Sequence, residues 1–559
     1  MNPSIHPNPG IGNRRRTRMA WSFVLSVGLF SVAAALWQRP NLDTDAGTCL
    51  LAAEQYLVGR SDRFHQLVDV DPGSIESDRI RPITWWPRSY SLPTLLGKQL
   101  GLDLGRSLQL SFLFFWSVGI LGWTLLFRRM ISAQLLPWLV LALLLFRYCH
   151  AAGYLYEGGE LMYWSLFPAV LLLNLSALER RQGTVQLVIA AGLVTPCLVL
   201  LKYSAGISLL AIGSCWLLMA RLGQVTIKQL GCWTAAAAVA SGAILLGGQL
   251  PHGNPATSSG QWQWATLLWS PGGWTFAMSD LESLVRYLAV QPGRMILPAI
   301  GHYQDGQVAL VSPLTLGVVA WLILRTRPEN NSGPVAAGKL ASTVVVVHLL
   351  IFTLLLTGLI LTGGAIHMDA RLLRPASLAV LPLLVMRASR AMESSNKLTQ
   401  AAGLSFLLLL VVIPASYGAA TLVDKSLLRS RYASNQTGPA GIRHDLLDRD
   451  GDALKFYRQI EFVAGESTVI YMIDPGLALP LASNRLLIEH AHLRSVQHLA
   501  AKQYGGCPTD GVLLVVPREF EVNGKLAAIQ NSFKDVADWA EVSCDSQPGW
   551  IIRHGQGNH

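Results

Sequence analysis

The sequence predicts an α-helical polytopic membrane protein that ends in a small α/β domain. Three observations predict it. Of 559 residues, 51% are hydrophobic and only 14% charged, with a mean hydropathy of +0.37, too apolar for a water-soluble chain of this length. The apolar residues gather into about eleven runs long enough to cross roughly 30 Å of hydrocarbon. Basic clusters mark every second connection between those runs, the pattern of cytoplasmic loops. The formal charge of +10 is dispersed in these clusters and forms no single stripe, so it excludes a nucleic-acid partner.

In chain order, residues 1–19 form a basic amino-terminal segment carrying Arg14, Arg15, Arg16 and Arg18. The first run, 20–37, ends in Trp37-Gln38-Arg39-Pro40, which lacks the small residues of a signal-peptidase site and is expected to stay as an anchor. Further runs fall near 108–127, 133–149, 161–178, 185–201, 204–220, 231–248, 308–325, 341–362, 374–389 and 401–421. With the amino terminus inside the plasma (inner) membrane, an odd number of crossings puts the tail outside. The expected domains are therefore the basic segment, a membrane module over 20–423 with a first outer loop at 38–107, and an extracytoplasmic domain at 424–559.

The tail changes period. DALKFYRQIEF reads as an amphipathic helix, STVIYMID and GVLLVVP as buried strands, residues 524–533 as a helix and 550–553 as a last strand. Asp448, Asp450 and Asp452 read as a solvated turn. Cys507 and Cys544 lie where a disulfide is permitted, and two unbonded thiols fit the sequence equally.

Two acidic positions outside the first span are the best candidates for chemistry. In LDTDAGTCLLAAEQY, Asp43 and Asp45 emerge from the bilayer side by side, where a carboxylate can deprotonate a hydroxyl or hold a divalent cation beside a lipid-borne substrate. YEGGE, with Glu157 and Glu160, forms a second acidic outer turn whose glycines let both carboxylates reach a cation or simply face water. Three outer cations run against the charge bias: Lys202 in LLKYSAG, and Arg371 and Arg374 in HMDARLLRPASLAVLPLL. An ionisable group at the hydrocarbon boundary costs on the order of 2–3 kcal/mol unless it finds a partner or a wet cavity. An anionic ligand would satisfy them, arginine offering phosphate a planar fork. Alternatively Arg371 pairs with Asp369 or Glu160, and Lys202 snorkels to the interface. Arg374 is expected in the first turn of a span because Pro375 follows it. His367 reads as a hydrogen-bonding partner of Asp369.

The order of these features resembles the GT-C superfamily of membrane glycosyltransferases, among them the aminoarabinose and protein O-mannosyl transferases, and most of all its broad bacterial branch. One span, an Asp-x-Asp-Ala start to a long outer loop, WWPRSYSLPTLLGKQLG leading to the second span, LVLLKYSAG, and the Arg-Pro start of a late span occur in the family's order over residues 20–390. Trp86, Pro87, Tyr90 and Pro93 keep the outline of a Trp-Pro-Pro-Gly-Tyr-Pro stretch, while Arg88 and Ser89 depart from it. The resemblance implies transfer of a sugar from a polyprenyl-phosphate donor to a glycan, lipid or protein acceptor at the outer membrane face, usually with inversion. Asp43 or Asp45 would be the general base, and Lys202, Arg371, Arg374 and Arg88 would hold the donor phosphate. Glu157 and Glu160 would match the second acidic loop, which holds a divalent cation (Mg or Mn) in some members. Tyr56, Trp86, Tyr90, Tyr156, His367 and Asp369 would line the substrate.

Three other readings remain at this level. A transporter or flippase of lipid-linked glycan would explain the spans, but no paired repeat is evident. An O-antigen ligase or polymerase would place its arginines and histidine in a late outer loop, against the early acidic pair. An assembly factor that binds lipid-linked glycan through the tail would tolerate loss of both aspartates.

Overall fold

A computed structural model describes residues 10–42, 44–57, 65–68, 79–82, 87, 91–151, 155–156, 159–179, 185–246, 277–278, 317–322, 325, 336–361, 370–427, 434–488, 503–504, 507–508, 511–533 and 536–557. The chain divides into two compact units. One comprises Met1–Ala33, Leu113–Ala151 and Gly159–Asp424; the other comprises Ala34–Phe112, Ala152–Gly158 and Lys425–His559.

The first unit is helical. Among the described residues, seven helices are long and apolar enough to cross a membrane: Arg16–Trp37, Leu104–Arg128, Gly159–Glu179, Ile227–Leu246, Gly338–Leu361, Arg371–Met392 and Lys397–Ser426. Three shorter apolar helices span Leu136–Leu145, Val185–Leu200 and Ala205–Arg221. The expected run at 308–325 lies mostly outside the described residues, so the expected total of spans is not established. The run at 133–149 is broken: helix α5 (Leu136–Leu145) ends where Phe146 turns extended, at φ −61° and ψ 132°, before the short α6 (Arg147–Ala151).

Polar side chains join the helices where lipid supplies no hydrophobic drive. Asn174 on α7 (Gly159–Glu179) donates to Thr195 Oγ1 at 3.0 Å on α8 (Val185–Cys197). Its Oδ1 accepts from Trp216 Nε1 at 2.9 Å on α9 (Ala205–Arg221) and from Trp233 Nε1 at 3.1 Å on α10 (Ile227–Leu246). The two indoles stack with centroids 5.7 Å apart. Ser208 on α9 bonds both the Tyr163 hydroxyl (2.5 Å) and His348 Nε2 (3.1 Å), the latter from α11 (Ala336–Leu361). All three of these residues are buried. Leu, Phe and Val side chains left exposed on α11 and other spans, such as Leu350 and Leu354, suit contact with lipid tails.

The second unit holds a five-stranded mixed sheet in the order β10-β11-β9-β5-β6, with β5 Thr468–Met472, β6 Arg485–Ile488, β9 Gly511–Pro517, β10 Val536–Val542 and β11 Trp550–Gly557. β5 runs parallel to both β6 and β9, while β11 is antiparallel to β9 and β10. β5 is buried throughout and β9 at all but its last residue, which explains why they read as unbroken apolar runs rather than alternating ones. Val469, Tyr471, Val512, Leu514, Ile529 and Phe533 form the core on one face. The expected helices and strands of the tail occur, and β6 and β10 are additional to them.

One expectation for the tail changes, and one alternative is decided. The aspartate turn is bonded rather than merely solvated: Asp448 Oδ2 accepts from Gly549 N at 2.6 Å, and Asp452 caps α15 (Ala453–Val463) by accepting from Lys455 N at 3.0 Å. Cys544 is a free buried thiol, so it forms no disulfide with Cys507; burial pushes its pKa up.

Candidate functional site

Asp43, Asp45 and Glu157 belong to the second unit. Strand β1 (Asn41–Leu42) pairs in parallel with β4 (Leu155–Tyr156), Asn41 opposite Leu155 and Leu42 opposite Tyr156. Helix α2 (Thr44–Leu57) begins two residues after β1, which puts Asp45 in its first turn, where the helix dipole favours a carboxylate. Asp43, Trp86, Arg88, Tyr90 and Glu157 lie outside the described residues, as do the side chains of Asp45, Tyr56 and Tyr156.

What holds α2 is visible. Lys98 on α3 (Leu92–Gln99) pairs with the buried Glu54, and Ser91 Oγ, just before α3, donates to Cys49 O at 3.2 Å. The short helix α16 (Pro475–Ala478) packs against α2 backbone to backbone: a Cβ on Gly47 would lie 2.9 Å from Gly476 N, closer than real side chains approach. Asp474 caps α16, its Oδ1 accepting from Leu477 N at 2.9 Å, and the Tyr457 hydroxyl donates to Leu477 O at 2.8 Å. Sequence reasoning passed over this contact, although Asp474-Pro475-Gly476 carries the signature of a capped helix start.

Lys202, Arg371 and Arg374 belong to the first unit, and so does Glu160. Glu160 lies in the first turn of α7, and Lys202, in the connection before α9, forms an ion pair with it. Both side chains are largely shielded, at 18% and 14% exposure for Lys202 and Glu160. Arg371, on α12 (Ala370–Met392), also acts electrostatically on Glu160. The structure therefore brings Glu160, Lys202 and Arg371 together, with Lys202 in an ion pair with Glu160.

Arg374 lies one turn further along α12. It is 8% exposed, with its guanidinium 4.3 Å above the Tyr148 ring and its Nε unbonded among the described residues. Pro375 falls inside α12 rather than in its first turn; lacking an N–H, it leaves the Arg371 carbonyl without its usual helical donor. Tyr148 was not a sequence candidate, and Arg147-Tyr148 within an apolar run is the signal that could have marked it. His367 and Asp369 lie outside the described residues.

Among the described residues, no three His, Cys, Asp or Glu side chains are grouped to hold a metal. One Glu160 oxygen, Oε1, is taken by the Lys202 ammonium.

No protein-family model and no curated protein matches the sequence. Among solved structures, the chain is similar to ArnT from Cupriavidus metallidurans bound to undecaprenyl phosphate, with a TM-score of 0.51 and 12% identity over 96% of this chain and 98% of that one. The apo state of the same protein aligns at a TM-score of 0.48 with 12% identity over the same shares. The apo oligosaccharyltransferase of Archaeoglobus fulgidus aligns at 0.43 with 13% identity, over 96% of this chain and 76% of that one. The likeness to undecaprenyl-phosphate-bound ArnT runs nearly end to end in both chains and shows the architecture: this is an integral membrane protein with the GT-C fold.

Proposed function

We propose that the chain is a membrane glycosyltransferase that moves a sugar from a polyprenyl-phosphate donor to an acceptor hydroxyl or amine on the outer side of the membrane. The observation that carries this reading is the β1–β4 pairing. It makes hydrogen-bonded neighbours of two segments that lie far apart in sequence and lead into the two acidic loops. Asp43 and Glu157 each follow a paired residue by one peptide, about 3.8 Å from Cα to Cα. The GT-C fold supports the same reading, since the ArnT structure of that fold is bound to undecaprenyl phosphate.

In this reading Asp43 or Asp45 takes the acceptor proton while the acceptor atom bonds to the anomeric carbon. The bond from that carbon to the phosphate oxygen breaks, the lipid phosphate leaves with the electron pair, and configuration inverts. Lys202, Arg371, Arg374 and Arg88 are assigned to the charge that grows on the departing phosphate. Arg374 suits this role best: its guanidinium is desolvated, held flat by Tyr148, and has a donor to spare. Lys202 and Glu160 form an ion pair beside Arg371. Glu157 is assigned to the acceptor or to a divalent cation, and Tyr56, Trp86, Tyr90, Tyr156, His367 and Asp369 to the substrate lining. The tail is assigned to the extracytoplasmic side and the amino terminus to the cytoplasm; a reporter fused after Arg553 should signal an outer location.

The test uses purified full-length protein in liposomes with a panel of labelled hexose, pentose and aminopentose polyprenyl phosphates. Asp43→Asn or Asp45→Asn should reduce transfer by about 10²–10⁴-fold, the usual contribution of a general base. Undiminished transfer by both variants would overturn the mechanism.

A further inference from the structure

Within the second unit, a cavity of about 480 Å³ opens where two spans end. The span in α1 (Gly10–Trp37) finishes at Trp37, and the span in α4 (Leu104–Arg128) starts at Leu104. The cavity is lined by Trp37, Arg39, Asp103, Ser434, Thr437 and Leu454, among others. Its volume falls in the range of small-molecule sites, about 300–1,000 Å³.

The walls are built, not incidental. Gln38 Nε2 donates to Lys425 O at 2.8 Å, and Gln109 Nε2 donates to Ala35 O at 3.1 Å. Gly105 N donates to Ala440 O at 3.0 Å, and Arg443 N to Pro40 O at 2.9 Å. Gly441 holds a left-handed turn at φ +74°, where a Cβ would meet Asp103 Oδ1 at 2.7 Å. Asp103 itself is fixed, because its Oδ1 accepts from Arg106 N at 2.6 Å at the start of α4. A site whose charges are already placed loses little entropy on binding.

The charges within this cavity are opposite and loosely joined. Arg39 Nη1 lies 3.4 Å and 3.5 Å from the two Asp103 oxygens, long against the roughly 2.7–2.9 Å of a tight charge-assisted bond. The side chains keep 28% and 39% of their surface open. A ligand bearing a phosphate and an ammonium a few bonds apart can replace both halves of the pair at once. A purely anionic ligand would meet Asp103 and be repelled. The Ser434 and Thr437 hydroxyls add phosphate donors, while Trp37 (77% exposed) and Leu454 (43% exposed) offer apolar surface at headgroup depth.

We propose that this cavity binds the phosphoethanolamine headgroup of a bilayer phospholipid, with phosphate on Arg39 and ammonium on Asp103. The site is independent of the transfer reaction and anchors the outer ends of two spans to the lipid they face.

The experiment uses full-length protein in detergent with dihexanoyl phosphatidylethanolamine, phosphatidylcholine and phosphatidylglycerol and with free phosphoethanolamine, read by native mass spectrometry and thermal unfolding. One phosphatidylethanolamine should be retained per chain and raise Tm. Arg39→Gln and Asp103→Asn should each weaken it by about tenfold or more, as expected for hydrogen bonds to charged groups. Asn at 103 keeps an oxygen for the α4 cap, so that variant is expected to fold. Ser434→Trp, on an exposed loop, should abolish retention by filling the cavity without touching the ion pair. Equal retention of phosphatidylcholine or phosphatidylglycerol, or unchanged retention in all three variants, would overturn the proposal. Free phosphoethanolamine binding as tightly as the lipid would assign the cavity to a soluble ligand and overturn it equally.

Discussion

In the helical unit, Glu160 and Glu179 are neutralised by the side-chain cations Lys202 and Arg129, the latter at 2.9 Å; the second unit has such pairs too, as Lys98 with Glu54, but there Asp103, Asp452 and Asp474 also accept backbone N–H groups at helix starts. The two solutions answer different solvents. Beside hydrocarbon an isolated charge has no water to turn to, so it is kept with a counter-charge. In a water-facing domain a carboxylate can be spent on a helix end, where it satisfies a donor the helix leaves open. Substitution should therefore fail in different ways in the two units: loss of one partner of a pair leaves a stranded charge, whereas loss of a cap or a close backbone contact shifts an element.

The largest expected effect belongs to the acidic start of α2. Asp43→Asn or Asp45→Asn should cost about 10²–10⁴-fold in sugar transfer with Tm unchanged, and a parallel fall in Tm would mark them as structural instead. Next comes the buried pair of the helical unit. Lys202→Met alone should destabilise by about 1–3 kcal/mol, because Glu160 keeps only Arg371 as a counter-charge, while Glu160→Gln with Lys202→Met should recover most of that loss in thermal unfolding. If the double variant is no better than the single one, the pair is not the counter-charge device described.

An effect of similar size is expected at the α2–α16 contact, where Gly47→Ala should cost about 1–3 kcal/mol from overpacking against a backbone atom that cannot step aside. Transfer should fall further than Tm implies if that contact sets the position of Asp45. An effect confined to low pH concerns His444, 3% exposed, whose pKa is pushed down to about 3 by burial, against the opposing influence of Asp445. The folded protein keeps His444 neutral while the unfolded chain protonates it below about pH 6.5. Stability should therefore decline as pH falls from about 6.5 towards 3, by at most about 1.4 kcal/mol per pH unit from this group. His444→Gln should flatten the Tm–pH curve over that window, and an unaltered slope would assign the acid sensitivity elsewhere.

Much of the architecture was legible because apolar length and period are properties of short windows. The spans of α4, α7, α10 and α11 announce themselves, and so do β5 and β9, whose burial makes TVIYM and GVLLVVP continuous runs. β6 and β10 escaped notice because RLLI is short and VADWAEV interrupts its alternation with a bulge between Ala537 and Ala540. The break at Phe146 is equally silent, being one residue's backbone angle. At the candidate site, Lys202 and Arg374 stood out as charges against an apolar background. Tyr148 beneath Arg374 and the Gly47–Gly476 approach did not, because each is a meeting of distant segments that no local pattern encodes.

That approach has a consequence for biogenesis. α2 lies far earlier in the chain than the helix that braces it, so it is synthesised long before its partner. During synthesis α2 therefore stays unbraced until the later segment has been made and has docked on Gly47.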